Sequence, residues 1–355
     1  MSGEASLSKM RGEGRRPTMR DVARAAGVSQ TAVSFVVNQR SDARIGEETR
    51  ARILAAVEEL GFRPDLTGRQ LRLQRTQTLG LITDGIASSP FAGQIVRAAH
   101  DVAWAHGRLV FLVNTTGDPD VETTAVRGLL DRRVDGLVYA ATFVREVEVP
   151  REAGEVPTVL VNCFPSGAMP ELPSVVPAER HGGGLAVQCL IDAGHRDIVC
   201  LAGDEHLWAT RERVAAFEER MRAVGPPSRR PAVQYGAYTI DSGYDRALAL
   251  LDAPQRPTAL LCGNDRIAVG ALLAAQSLGL VVPRDLSLVG YDDQEELADR
   301  VRPALTTVSL PHYRMGEIGT RALLGIIEGE TAPRTQEVSG ELIERGSVAP
   351  PPLLA

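Results

Sequence analysis

The sequence predicts an α/β protein: a small N-terminal helix-turn-helix head, a short linking segment, and a core of two lobes built on parallel sheets. Three observations predict it. From Leu79 onward, short apolar runs alternate with helical patterns. That alternation runs through two successive sets, each long enough for one lobe. The first 75 residues carry a net charge of +5 and the rest −11, so the whole-chain value of −6 is the sum of two unlike parts.

The 355 residues are 44% hydrophobic and 24% charged, which is globular composition and not disorder. No run of 18 apolar residues is present, so no transmembrane helix is expected. The opening MSGEASLSKMRGEGRRP has no apolar stretch typical of a secretion signal, and a cytoplasmic protein is expected. Cys163, Cys189, Cys200 and Cys262 are widely spaced, which suits buried free thiols in a reducing compartment. No H-E-x-x-H, G-x-S-x-G or G-x-x-x-x-G-K-[ST] string occurs. No catalytic set, metal or cofactor is therefore expected. A basic head on an acidic body is the distribution expected when the head meets phosphates.

Residues 1–17 read as a flexible basic tail. Thr18 to Asp21 has the form of a capping box, and Val22, Ala23 and Ala26 form a small apolar face behind it. Gly27 suits the positive φ of a tight turn. Ser29 can cap a second helix whose inward face is Ala32, Val33, Val36 and Val37. A third helix runs from about Glu47 to Leu60, with an acidic start, a stop at Gly61, and Ile53, Leu54, Val57 and Leu60 as its expected core face.

In the body, Leu79–Ile82, Leu109–Val113, Gly136–Tyr139 and Thr158–Val161 read as strands. Helices are expected over Phe91–His106 and Val121–Arg132. The second set adds strands at Ile198–Leu201, Val233–Tyr235, Ala259–Cys262 and Leu286–Val289. Its helices are Gly182–Ala193, Arg211–Val224, Ser242–Leu251 and Ile267–Leu278. A last strand is expected near Gln336–Ile343. Parallel sheets of this kind open a ligand cleft at the carboxyl ends of their strands.

The strings TMRDVARAAGVSQTAVSFVVN (Thr18–Asn38) and EETRARILAAVEELGFRP (Glu47–Pro64) resemble the DNA-binding head of the LacI/GalR family of bacterial transcriptional regulators. The body resembles the family's periplasmic-binding-protein-like core through GHRDI from Gly194, RVAAF from Arg213, GNDRIAVG from Gly263, VPRDLSLVGYDD from Val282 and PALTTV from Pro303. The resemblance implies a helix-turn-helix domain over 18–64, a hinge helix over 65–76 and an effector-binding and dimerisation core over 77–355. The first lobe is expected at about 77–164 plus 309–334, the second at about 165–308 plus 335–346.

The implied function is a homodimeric repressor that reads a pseudo-palindromic operator in double-stranded DNA and answers to a small molecule, sugar-like in the first instance. Gln30, Thr31, Ser34 and Phe35 would face base edges in the major groove. Thr18, Ser29 and Asn38 would hold phosphates. Phe35 departs from a frequent arginine, and its ring can alternatively fold onto the head's core. In the hinge, Leu71 matches the apolar wedge that enters the minor groove, and Arg69, Arg72 and Arg75 would meet phosphates. Gly68, where Ala is common, loosens that helix by about 1 kcal/mol.

For the effector, the resemblance points to Arg213, Asn264 and Asp292, with Tyr238 and Phe91 as aromatic walls and Asp84 as a further contact. The same residues have plainer readings: a salt bridge for Arg213, a helix cap for Asn264, a turn for Asp292 and core packing for the aromatics. Ala178 stands where many sugar-binding members carry Asp, and Leu310 lies near a position polar in some members, so a nucleoside or sugar phosphate is the alternative effector. An enzyme or a solute-binding protein with this two-lobe cleft leaves the Thr18–Pro64 head unexplained. The tail APPPLLA has no heptads, so no C-terminal coiled-coil tetramer is expected.

Overall fold

The computed structural model describes residues 17–37, 45–62, 75–86, 93–225 and 232–352. It divides into two compact units, residues 1–74 and 75–355.

The first unit has three helices among its described residues, α1 (Met19–Ala26), α2 (Gln30–Val37) and α3 (Glu47–Leu60). Their starts and stops follow the local chemistry. Asp21, three residues into α1, accepts from the Thr18 backbone N–H at 2.9 Å, one arm of a capping box. Gly27 and Gly61 end α1 and α3 at φ 67° and 62°, left-handed values that a Cβ would penalise. Val22, Val33, Val36 and Ile53 form the centre of one apolar cluster, with Ala32, Val57 and Leu60 packed against it. Leu54 is a correction: it is half exposed, and Ala56 takes the inward place. At 100° per residue, Ile53, Ala56, Val57 and Leu60 share a face that Leu54 leaves.

The second unit holds two six-stranded sheets. The first lobe contains β1 (Thr78–Thr83), α4 (Gly93–Ala105), β2 (Leu109–Asn114), α5 (Pro119–Asp131), β3 (Gly136–Ala140), β4 (Glu146–Glu148), β5 (Thr158–Val161), β6 (Phe164–Ser166) and β7 (Ser174–Pro177). The second contains α6 (Glu179–Asp192), β8 (Ile198–Leu201), α7 (Trp208–Val224), β9 (Val233–Gln234), α8 (Ile240–Leu251), β10 (Ala259–Cys262), α9 (Asp265–Ser277), β11 (Ser287–Asp292) and β12 (Thr306–Ser309). The chain then returns through α10 (His312–Ile327) and β13 (Thr335–Val338) to the first lobe, and ends with β14 (Leu342–Ile343) in the second.

The first sheet runs β13-β7-β5-β3-β1-β2 and is parallel throughout. The second runs β14-β12-β11-β10-β8-β9, with only β14 antiparallel. Every residue of β1, β3, β5, β8 and β10 is buried, as strands covered on both faces must be. The edge strand β2 instead leaves Leu109, Phe111 and Leu112 exposed.

The topology corrects the expected lobe boundaries. β6 pairs only with β4 but β7 pairs with β5, so the first crossing falls at Ala178 and not near 164. β13 pairs with β7 in the first lobe, and only β14 belongs to the second, so the one strand expected at 336–343 is two strands in two sheets. The crossings are thus Ala178, Leu310–Pro311 and 339–341. The expected hinge also ends earlier than residue 76. Thr76 is bound through its backbone N–H to Asp135 at 2.7 Å, and Arg75 donates to the Ile327 carbonyl at 2.8 Å, so both belong to the core.

Candidate functional site

Parallel strands point their carboxyl ends one way, so the loops that follow them gather at one edge. In the core these edges face each other across a cavity of about 110 Å³. Thr142 and Phe143 follow β3 and Asn162 follows β5 on the first lobe's wall, and Glu179 opens α6 just past the crossing. From the second lobe come Arg213 on α7, Asn264 after β10 and Asp292 at the end of β11.

Arg213 is the centre of the constellation. Its Nε and Nη2 donate to the two carboxylate oxygens of Glu179 at 2.7 and 2.8 Å, a bidentate pair. Its Nη1 donates to the Gly263 carbonyl at 2.6 Å. The guanidinium carbon lies 3.6 Å from the centre of the Tyr291 ring, a stacked cation–π contact. Burial works against the charge, yet the adjoining Glu179 carboxylate holds the guanidinium well above its ordinary pKa. The approach of α6 to α7 is close because Gly183 has no side chain: a Cβ there would lie 2.9 Å from the Arg213 Cα.

Asp292 has its Oδ1 3.8 Å from Arg213 Nη1. Its φ of 107° is a backbone position that L residues rarely adopt, and strain of this kind gathers at ligand sites. Burial pushes its carboxyl well above the usual carboxylate range, opposed by Arg213. Asn264 caps α9, accepting from the Ile267 N–H at 2.9 Å, and also lines the cavity, so its two readings hold together. Tyr238 lines the cavity and shares a 2.7 Å hydrogen bond with Thr210. Leu310 lines it as well.

Asp84 is a correction. It does not line the cavity. Its carboxylate accepts from the Thr142 N–H and hydroxyl at 2.9 and 2.7 Å and pairs with Arg145 at 3.0 Å. It therefore positions the Thr142 lip. Phe91 lies outside the described residues.

Glu179, Asn162, Arg266, Gln294 and His312 complete the walls, and sequence reasoning did not single them out. Glu179 follows Ala178, the position noted for its missing acid, so the cleft has a carboxylate one residue further on. Its place in the first turn of α6 reads in sequence as an ordinary acidic helix start.

Behind the wall, Asp265 is fully buried and accepts from the Thr307 hydroxyl and the Gln294 N–H, both at 2.7 Å. Burial pushes its carboxyl up to about 7 despite those bonds. A folded-state pKa raised above the unfolded value gives stability that is complete at low pH and is lost as pH rises through the folded value. Thermal melts should therefore show the core losing stability, on the order of 1–4 kcal/mol, as pH rises from about 5.5 to 8.5. In Asp265→Asn, whose amide still serves Gln294 and Thr307, the pH dependence should shrink. A parent melting temperature that is flat or rises over this range would falsify the assignment.

In the head, Gln30 and Thr31 are exposed on the first turn of α2, which carries no acid. Ser34 and Phe35 are half-buried. The Ser29 hydroxyl accepts from the Ala32 N–H at 3.2 Å as a helix cap. The Thr18 hydroxyl donates to Asp21 at 2.6 Å, so its proton is committed within the head. Asn38, Arg69, Leu71 and Arg72 lie outside the described residues.

Two family descriptions match the chain: bacterial regulatory proteins of the lacI family over residues 18–65, and the periplasmic binding protein-like domain over 187–348. The ribose operon repressor of Escherichia coli K12 is 33% identical over 333 residues, covering 93% of this chain and 99% of that protein. The HTH-type transcriptional repressor PurR of Proteus mirabilis is 32% identical over 340 residues, covering 95% and 98%. Among solved structures, the lac repressor dimer bound to operator and the anti-inducer ONPF superposes with a TM-score of 0.77 at 28% identity, over 94% of this chain and 100% of that one. The transcriptional regulator CelR–cellobiose complex gives 0.65 at 30% identity, over 94% and 100%.

Proposed function

Because the chain belongs to the lacI family of bacterial regulatory proteins, we propose that it is a homodimeric, cytoplasmic transcriptional repressor without catalytic activity, governed by a sugar-like effector in the interlobe cleft. The observation that carries this reading is the cavity centred on Arg213, walled by the strand ends of both lobes. Planar guanidinium, amide and carboxylate groups at fixed spacing suit a compound with several hydroxyls.

A ligand that touches both walls favours one relative placement of the lobes. It acts on DNA binding only through its different affinity for the two states. The three crossings at Ala178, Leu310–Pro311 and 339–341 are where the chain must flex. In the head, Gln30 and Thr31 are exposed to read bases, and Leu71 is assigned the minor-groove wedge. For the homodimer, the supporting observation is apolar surface on the first lobe: Trp104 is 67% exposed and Leu109 55%, beside Phe111 and Leu112 on an open sheet edge.

The test is an electrophoretic shift on the DNA upstream of the protein's own gene, repeated with a panel of sugars. Salt-sensitive, sequence-preferring binding that a sugar alters supports the reading; its absence there and across the genome sinks it. Gln30→Ala should relax the preference at one operator position by about 1–3 kcal/mol, leaving affinity for unrelated DNA nearly unchanged. A base profile identical to the parent's removes Gln30 from the reading set.

A further inference from the structure

A guanidinium recognises phosphate or carboxylate by aiming two parallel N–H groups at two oxygens. Arg213 has two edges able to do this, and a carboxylate faces each of them. Glu179 closes the Nε/Nη2 edge with bonds of 2.7 and 2.8 Å. At the Nη1/Nη2 edge, Nη1 donates to Gly263 and has Asp292 Oδ1 at 3.8 Å. Glu179 is only 1% exposed, so releasing it from Arg213 would strand a buried carboxylate without a partner.

The other arginine on the cavity wall is Arg266, whose Nε donates to Gln294 at 3.1 Å. Its charge acts on Asp292 across the wall. The fork of Arg213 is thus closed by Glu179, with Asp292 beside Nη1. Each of the three nitrogens of Arg213 already donates one bond, Nε and Nη2 to Glu179 and Nη1 to Gly263.

We propose that Glu179 is the charge-selecting residue of this cleft: by occupying the fork of Arg213 it makes the site accept an uncharged polyhydroxyl effector and reject the phosphorylated or carboxylated derivative of the same compound. The inference rests on the reading of the cleft as the effector site. It goes further by assigning the charge class of the ligand and the residue that sets it. A phosphate brought to Arg213 finds the Nε/Nη2 pair already bound to the Glu179 carboxylate, and like charges set against each other across a desolvated contact oppose binding.

The test uses the full-length protein and paired probes: ribose and ribose 5-phosphate, glucose and glucose 6-phosphate, adenosine and its 5′-monophosphate. Binding is read by thermal shift and calorimetry on the parent, Glu179→Gln and the double variant Glu179→Gln/Arg213→Gln. In the parent, a neutral probe should bind at least about tenfold more tightly than its phosphate. Glu179→Gln frees one edge of the fork and should shift that ratio about tenfold toward the phosphate, and the double variant should lose the shift. A parent that binds a phosphate as tightly as its neutral counterpart overturns the proposal, as does an unchanged ratio in folded Glu179→Gln. If Glu179→Gln does not fold, the parent ratio alone decides. If no probe of either charge binds the parent, the effector reading itself falls, a result distinct from binding with the wrong charge preference.

Discussion

Arg213→Ala should make the core about 3–5 kcal/mol easier to unfold and should abolish the response of DNA binding to effector. The stability loss does not come from the value of the ion pair as such. Bringing both charges out of water is costly, and their attraction roughly repays it. Removing Arg213 leaves the 1% exposed Glu179 carboxylate with no cation at 2.7 Å, and leaves Tyr291 without the group stacked on its ring. Joint replacement, Arg213→Met with Glu179→Gln, should therefore recover a good part of the loss, since no unpaired charge remains. Urea unfolding of the three proteins measures this. A single variant within about 1 kcal/mol of the parent, or a double variant worse than the single, refutes the account. The head has its own apolar cluster, so salt-sensitive DNA binding should persist in the double variant while ligand sensitivity is lost.

Gly270→Ala should destabilise the second lobe by about 3 kcal/mol or more, although alanine is the better helix former. Gly270 lies within α9, where a Cβ would sit 2.1 Å from the Ile240 carbonyl oxygen and 2.5 Å from the Tyr244 nitrogen. Both are backbone atoms of α8, so no rotamer change relieves the overlap and the two helices must part. Gly184, within α6, is the control. Its Cβ would meet only the tip of Arg220 at 3.8 Å, an ordinary contact. Gly184→Ala should therefore stabilise by about 0.4–1 kcal/mol through lost freedom of the unfolded chain. Melts of the two variants should move in opposite directions; movement in the same direction would mean that helix propensity, not the approach of α8 to α9, governs both sites.

The parts legible in sequence share a physical character. Thr18 with Asp21, Ser29 with Ala32, and Gly27 and Gly61 act within four residues of themselves, and each caps or ends a helix as its chemistry requires. The continuous apolar runs at Leu79, Gly136, Thr158 and Ala259 became strands buried on both faces. Arg213, Asn264, Asp292 and Tyr238 were legible through the family resemblance, and all four line the cavity. Asp84 shows the limit. Its place after the first strand was right, but its carboxylate faces Thr142, a partner 58 residues away.

The sequence by itself determined the helical head, the order of strands and helices, and the positions around which a cleft forms. Each depends on periodicity, capping or turn chemistry, which are properties of neighbouring residues. Only the tertiary structure decided that β7 and β13 complete the first sheet, so that the chain crosses at Ala178. It alone decided that Glu179 meets Arg213, 34 residues later. Parallel pairing joins segments such as Ser174–Pro177 and Thr335–Val338 that have no local signal for each other. A buried carboxylate on the first turn of a helix looks, in sequence, like any other acidic helix start until the neighbouring helix brings it an arginine.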